Sequence, residues 1–182
     1  MGSPSIYISS DAGLLNRFSI PAGQDFALIA LKDGDTSAAA QLLFSPQTST
    51  GEFENWLQAH RWPSALELGE GSFQDIMNAE SKPLVVLAST TDSGAERDAI
   101  IASVRKLAIQ WRKTDAVQYA PAHHTRQVLF TWMDQGRWAK WLKSMYGING
   151  PAQVVITDHS VGVTLTIWYY LTDKRLAEVG LL

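Results

Sequence analysis

The residues whose side chains could do chemistry are few, and they fall in short groups. His123 and His124 are adjacent, so their imidazoles could share a metal ion. Asp158-His159-Ser160 contains the residue types of a hydrolytic triad. Cysteine is absent from the sequence, which excludes disulfides, thiolate nucleophiles and zinc sites built on cysteine.

Neither histidine group has the surroundings of a functional centre. Two protein ligands make a poor metal site, and no third ligand follows His124 at a typical spacing. Consecutive residues such as 158–160 cannot adopt triad geometry among themselves, and their composition is typical of a turn. Gly69-Glu70-Gly71 lacks the remaining positions of a phosphate-binding loop. We therefore predict no catalytic residue, no metal and no cofactor, with an enzyme of other, non-thiol chemistry as a minority alternative.

A stripe of aromatic residues is the remaining candidate. Trp138, Trp141 and Tyr146 recur at helical spacing, which is typical of core packing under a sheet. The alternative is a partly exposed surface that binds polypeptides. Basic residues on the same helix are typical of a solvated face, with an acidic partner as the alternative. These basic residues are Arg137, Lys140 and Lys143.

Length and charge exclude several classes of partner. The chain has 182 residues, enough for one large or two small domains. Its net charge is −3 without a long run of one sign, which argues against a nucleic-acid partner. The longest apolar stretches are about 7–10 residues, too short to cross a bilayer, so we expect no membrane contact.

The second half of the chain alternates strand and helix patterns. Predicted strands cover residues 84–88, 128–133, 154–156 and 163–170, and predicted helices cover residues 96–113, 135–146 and a short segment after 171. Polar loops are predicted at 89–93 and 114–126. The order β-α-β-α-β-β predicts an α/β fold, with a mixed sheet that has helices on both faces.

The first half shows a related but shorter series. Predicted strands cover residues 5–9, 26–31 and 41–44, and predicted helices cover residues 11–18 and 50–60. The run 26–31 is continuously apolar, which is typical of a strand covered on both faces, and we expect it to pair antiparallel with 41–44. A short edge strand at 66–68 and a helical turn around 73–77 follow.

The two halves share a repeat. Residues 5–44 and 127–170 follow the same order, and their first helices end alike, at Phe18-Ser19-Ile20 and at Tyr146-Gly147-Ile148. A proline follows each helix. Such a repeat predicts two related domains. Only the second copy is preceded by a further strand and helix, at 82–113, so we expect the chain to begin inside its first domain.

These features resemble the thioredoxin fold, and in particular the non-catalytic domains of protein disulfide isomerases. The resemblance rests on Phe130-Thr131-Trp132-Met133-Asp134, on Trp138-Ala139-Lys140-Trp141-Leu142-Lys143 and on Tyr146-Gly147-Ile148. The membrane-anchored thioredoxin-related branch and its fungal relatives look most similar. The resemblance implies a partial thioredoxin-like domain at 4–62 and a nearly complete one at 64–182.

The resemblance also implies where a peptide groove would lie. Catalytic members carry Cys-X-X-Cys between the first core strand and the long helix, a place that residues 89–93 occupy here without cysteine. The family's cis-proline corresponds to Pro151. The implied peptide-binding residues come from that loop, from the turn before the next strand and from the aromatic stripe: Thr90, Thr91, Asp92, Asn149, Gly150, Pro151, Trp138, Trp141 and Tyr146.

The functional expectation follows from the same resemblance. It implies a redox-inactive segment of an endoplasmic-reticulum disulfide isomerase, which binds unfolded or partly folded polypeptides or spaces catalytic domains. The alternative is a thioredoxin-like folding-sensor domain of a glycoprotein glucosyltransferase. Because the first domain would expose the edges of its sheet, we also expect that a homodimer could form through those edges.

Overall fold

The computed structural model describes residues 5–79, 83–114, 127–158 and 163–167, the last range by its backbone alone. The chain divides into two compact units, Met1–Pro63 and Ser64–Leu182. Several predicted features lie outside the described residues. They are the histidine pair at 123–124, residues 159 and 160, residues 115–126 of the loop predicted at 114–126, residues 168–170 of the last predicted strand and the helix predicted after 171.

Helices and strands follow each other closely in both units. The first unit contains α1 (Ala12–Arg17), β1 (Ala27–Ala30), β2 (Ala40–Leu43) and α2 (Thr50–His60). The second contains β3 (Ala65–Glu67), α3 (Glu70–Met77), β4 (Leu84–Thr90), α4 (Gly94–Arg112), β5 (Val128–Asp134), α5 (Gln135–Tyr146), β6 (Val154–Asp158) and β7 (Val163–Ile167).

A five-stranded mixed sheet organises the second unit. Its strand order is β3-β5-β4-β6-β7. β3 and β4 pair parallel with β5, whereas β6 pairs antiparallel with both β4 and β7. The predicted α/β class and mixed sheet are therefore confirmed, and so is the prediction that β3 is an edge strand within the described sheet.

Helices cover both faces of this sheet. Ile100, Val104 and Ala108 of α4 pack against one face, where Phe130 and Trp132 of β5 are buried. Since side chains alternate along a strand, the intervening residues Leu129, Thr131 and Met133 point to the other face. These residues are completely buried. Buried side chains of α3 and α5 that serve this half of the core are Ile76, Leu142 and Tyr146.

The first unit has a smaller sheet. β1 and β2 form a two-stranded sheet and pair antiparallel, as predicted. The expectation that residues 26–31 are covered on both faces is wrong, because every residue of β1 is only half-buried and Phe26 is 74% exposed. The strand predicted at 5–9 is also wrong, since residues 5–10 belong to no strand. An apolar run forms a strand only where a neighbouring strand satisfies its backbone.

The repeated helix endings have a common backbone conformation. Ser19 and Gly147, which follow α1 and α5, have φ angles of 54° and 70°. After α5, the amides of Gly147 and Ile148 donate to the carbonyls of Lys143 and Leu142. The left-handed residue reverses the chain toward the next strand in both units, and Gly147 is the residue type that does so without steric cost.

Replacement of Gly147 by alanine should therefore lower the free energy of unfolding of the second unit by about 1 kcal/mol, because a Cβ is disfavoured at positive φ. Gly71 is a matched control in α3, because it has an ordinary helical φ and open space where the methyl group of an alanine would lie. Gly71→Ala should leave stability unchanged or raise it slightly. Urea unfolding of both variants measures the difference, and equal effects would contradict the prediction.

Candidate functional site

The start of α4 and the turn before β6 meet at one end of the central sheet. β4 pairs with β6 from Leu84 to Ala88, so the residues that follow β4 lie beside the residues that precede β6. The predicted loop at 89–93 is shorter than expected, because Ser89 and Thr90 still belong to β4. The structure thus brings Thr91 and Asp92 to the same end of the sheet as the turn at 149–153.

Ser89 holds this turn by several hydrogen bonds. Its side chain is completely buried, and its Oγ donates to the carbonyl of Gly150 over 2.6 Å. The same Oγ accepts from the amide of Gln153 over 3.1 Å. The Ser89 backbone also accepts from Ala152 and donates to Gln153, both over 2.9 Å. One buried hydroxyl therefore ties the end of β4 to both ends of the turn.

Thr90 and Pro151 differ from the sequence expectation. The Thr90 side chain is completely buried and its Oγ1 lies 3.3 Å from the Met133 carbonyl, so it faces the core and not a ligand. The described residues contain no cis peptide bond, so Pro151 follows a trans bond and does not share the cis bond of the family's proline. The chain makes the turn at Ala152 instead, with φ of 58°. Asn149 and Gly150 lengthen the segment between α5 and Pro151. The backbone of this longer segment reaches β6 through the left-handed conformation of Ala152, without a cis bond.

The remaining residues of this end are accessible to different degrees. Asp92 and Asn149 are exposed, whereas Thr91, Gly150 and Pro151 are partly buried. The Thr91 hydroxyl donates to the Ser93 carbonyl, and the Ser93 hydroxyl donates to the Asp92 carboxylate. These bonds fold the loop onto itself just before α4 begins.

A second group of residues lies between α3 and α5. Phe73 of α3 stacks on Trp138 with ring centroids 6.4 Å apart and meets the edge of Trp141 at 5.1 Å. Trp141 in turn meets Tyr146 at 5.1 Å. We call these four residues the aromatic cluster. Phe73, Trp138 and Trp141 are partly exposed, whereas Tyr146 is buried.

The aromatic cluster is neither pure core nor open surface. Burial raises the pKa of Tyr146 above its ordinary value, and the nearby Thr157 side chain opposes that shift. Tyr146 therefore anchors the cluster in the core, whereas Trp138 and Trp141 extend from the core toward solvent. Met145 is 54% exposed and lies on the same helical face as Trp138 and Trp141.

Charged side chains border the aromatic cluster. The Arg137 guanidinium lies 5.9 Å from the centre of the Trp138 ring and forms an ion pair of 2.7 Å with Glu70 of α3. Lys140 and Lys143 are exposed. The exposed ion pair contributes little stability, but it links α3 to α5 beside the aromatic rings.

Sequence reasoning found the tryptophans but not their partner. Phe73 was predicted only as part of a helical turn, yet it contacts both Trp138 and Trp141. Its spacing with Ile76 and Met77 indicated an apolar helix face, whereas the contact of α3 with α5 depends on the tertiary fold that brings the two helices together. Within the described residues, no hydrogen bond or ring contact joins the aromatic cluster to residues 91–92 or 149–151.

Other classes of site find no support in the described residues. No group of three or more acidic, histidine or cysteine side chains there is placed to hold a metal ion. None of the helices described is both long and apolar enough to cross a membrane. The sequence matches no known protein family, and no curated protein matches it either.

Proposed function

We propose that this chain is a redox-inactive, thioredoxin-like segment of an endoplasmic-reticulum disulfide isomerase, and that it binds unfolded polypeptide clients. The observation that carries the proposal is the partly exposed aromatic cluster on a mixed sheet whose strand order is compatible with a thioredoxin-like fold. Each half of that observation supports a different part of the proposal.

The topology supports the thioredoxin-like part. In chain order, the strands of the second unit lie side by side as first, third, second, fourth and fifth, with the last two antiparallel to their neighbours. A helix follows each of the first three strands. This is the arrangement implied by the resemblance, and it also accounts for the position of Pro151 opposite the end of β4.

The same topology supports the absence of redox chemistry in this segment. The resemblance implies that the place of Cys-X-X-Cys in catalytic members is occupied here by Ser89-Thr90-Thr91-Asp92-Ser93. Hydroxyl and carboxylate groups do not exchange disulfides, because exchange requires a thiolate. We therefore expect this chain to neither oxidise dithiols nor reduce disulfides, and to contribute binding alone.

The aromatic cluster supports client binding. Partly exposed tryptophans offer a large apolar area at a small cost in side-chain entropy, which suits the varied apolar segments of unfolded chains. Met145 adds an adaptable apolar side chain on the same helical face. Tyr146 fixes the cluster to the core, so the surface is formed before a client arrives.

A binding titration with matched variants tests the proposal. A labelled, permanently unfolded polypeptide should bind the wild-type chain, as measured by fluorescence anisotropy. Met145→Lys should weaken that binding about tenfold or more, because it places a charge on the apolar surface. Met145 is 54% exposed, so the change should leave the fold intact, which circular dichroism checks.

Ala102→Lys is the matched control. Ala102 is exposed on α4, the helix that covers the opposite face of the sheet. The substitution therefore adds the same charge as Met145→Lys, but far from the aromatic cluster. It should leave the affinity for the client unchanged. Absence of binding by the wild-type chain to several unfolded polypeptides would reject the proposal. An equal loss of affinity in Met145→Lys and Ala102→Lys would show that the aromatic cluster is not the binding surface.

A further inference from the structure

The outer edge of β1 has no partner strand among the described residues. β1 pairs with β2 on one side only. Phe26 and Ala30 accept backbone hydrogen bonds from Phe44 and Ala39 on the β2 side. Since backbone groups alternate between the two sides of a strand, Ala27, Ile29 and Leu31 turn their amides and carbonyls to the open side.

This open edge lacks the features that usually prevent strand addition. The run Phe26 to Leu31 contains no charged residue and no proline. Phe26 is 74% and Leu31 is 53% exposed. Of the large apolar side chains that are exposed in the described part of the chain, all except Met145 belong to the first unit. A two-stranded sheet is also marginal by itself, so a further strand would stabilise it.

We propose that the open edge of β1 is an interface between two copies of this chain, paired antiparallel about a two-fold axis. Each copy then presents the same apolar run to the other, as isologous contacts require. The two sheets join into a four-stranded sheet with the order β2-β1-β1-β2. The open amides and carbonyls of both edges gain partners, and Phe26 and Leu31 become less exposed.

Hydrogen-bond alternation and charge select the register. Residues whose amides and carbonyls face the open side must oppose each other across the axis. An axis near the centre of the run Phe26 to Leu31 therefore passes through Leu28 or through Ile29, and not between them. An axis at Ile29 places Asp25 opposite Asp33 of the second copy, and like charges opposite each other are destabilising. An axis at Leu28 places Ala27 opposite Ile29 and avoids that pair. The structure therefore favours Leu28 opposite Leu28.

Light scattering coupled to gel filtration tests the interface on the full chain. The wild-type chain should be a dimer at micromolar concentration. Leu31→Glu should weaken dimerisation about tenfold or more, since an axis at Leu28 places the new carboxylate opposite Asp25 of the second copy. Leu57→Glu is the matched control, because Leu57 is 43% exposed on α2 and should leave the dimer unchanged. A wild-type monomer, or equal losses in both variants, would overturn the proposal.

Cysteine cross-linking tests the register, because the chain has no native cysteine. Across an axis at Leu28 the two Cα atoms would lie about 4.5 Å apart, within the range of a disulfide. Leu28→Cys should therefore form a covalent dimer under mild oxidation. Ile29→Cys and the exposed loop variant Gln47→Cys should do so much less. Preferential cross-linking at Ile29 or Gln47 would overturn the pairing about Leu28.

Discussion

Replacement of Ser89 by alanine should lower the free energy of unfolding of the second unit by about 1–3 kcal/mol and loosen the turn before β6. The hydroxyl of Ser89 is completely buried and is bonded to the Gly150 carbonyl and the Gln153 amide. Alanine removes both bonds and leaves two backbone groups without that partner. Buried polar groups that lose a partner are costly because water does not replace it.

A second buried hydroxyl distinguishes loosening of the turn from a general loss of stability. Thr131 is an equally buried hydroxyl residue in the same sheet, and its Oγ1 donates to the Val86 carbonyl over 3.1 Å. Thr131→Val should cost a similar free energy of unfolding but should not disturb residues 149–153. Amide hydrogen exchange distinguishes the two variants, because only Ser89→Ala should accelerate exchange at Ala152 and Gln153.

Two results would contradict this role of Ser89. The first is a stability of Ser89→Ala within a few tenths of a kcal/mol of the wild type. The second is equal acceleration of amide exchange at Ala152 and Gln153 in Ser89→Ala and in Thr131→Val. Either result would mean that the backbone pairing of Ser89 with Ala152 and Gln153 suffices to hold the turn.

The sequence predicted best where local periodicity and local packing agree. The spacing of Trp138, Trp141 and Leu142 predicted the helix at 135–146, and α5 has those bounds. Gly147 was predicted to end it and has the left-handed conformation that a helix C-terminus requires. The strands of the second unit were found as apolar runs, because both faces of that sheet are covered.

Predictions failed where the outcome depends on distant parts of the chain. Ile6, Tyr7 and Ile8 have high strand propensity, yet they are 86%, 88% and 98% exposed, because none of the described strands pairs with them. Thr90 looked like a loop residue, but the pairing of β4 with β5 extends to it. The contact of Phe73 with both tryptophans likewise depends on how two helices meet, which a local pattern does not specify.

Acidification should destabilise the first unit through His60. The His60 pKa is lowered from 6.5 to about 4, first by burial of the imidazole and second by repulsion from Lys32. His60 is the last residue of α2 and packs on Trp56, with ring centroids 4.9 Å apart. A cation at this helix end would gain from the helix dipole, but the loss of hydration outweighs that gain.

The direction of the pH effect follows from proton binding. Between about pH 6.5 and about pH 4 the unfolded chain binds a proton at His60 that the folded chain does not. The His60 contribution to stability is therefore complete above pH 6.5 and is lost as the pH falls to about 4. Because the imidazole is partly exposed and solvent screens its interactions, we expect a loss of about 1–3 kcal/mol.

Urea unfolding of the wild-type chain and of His60→Gln, followed from about pH 7.5 to about pH 4.5, isolates this contribution from the titration of carboxylates. Glutamine carries no titratable proton, so the stability of the variant should fall less steeply than that of the wild type across this window. Lys32→Gln should show an intermediate slope, because it removes the repulsion and leaves the burial. Parallel pH profiles for all three proteins would show that His60 does not titrate differently in the folded and unfolded states.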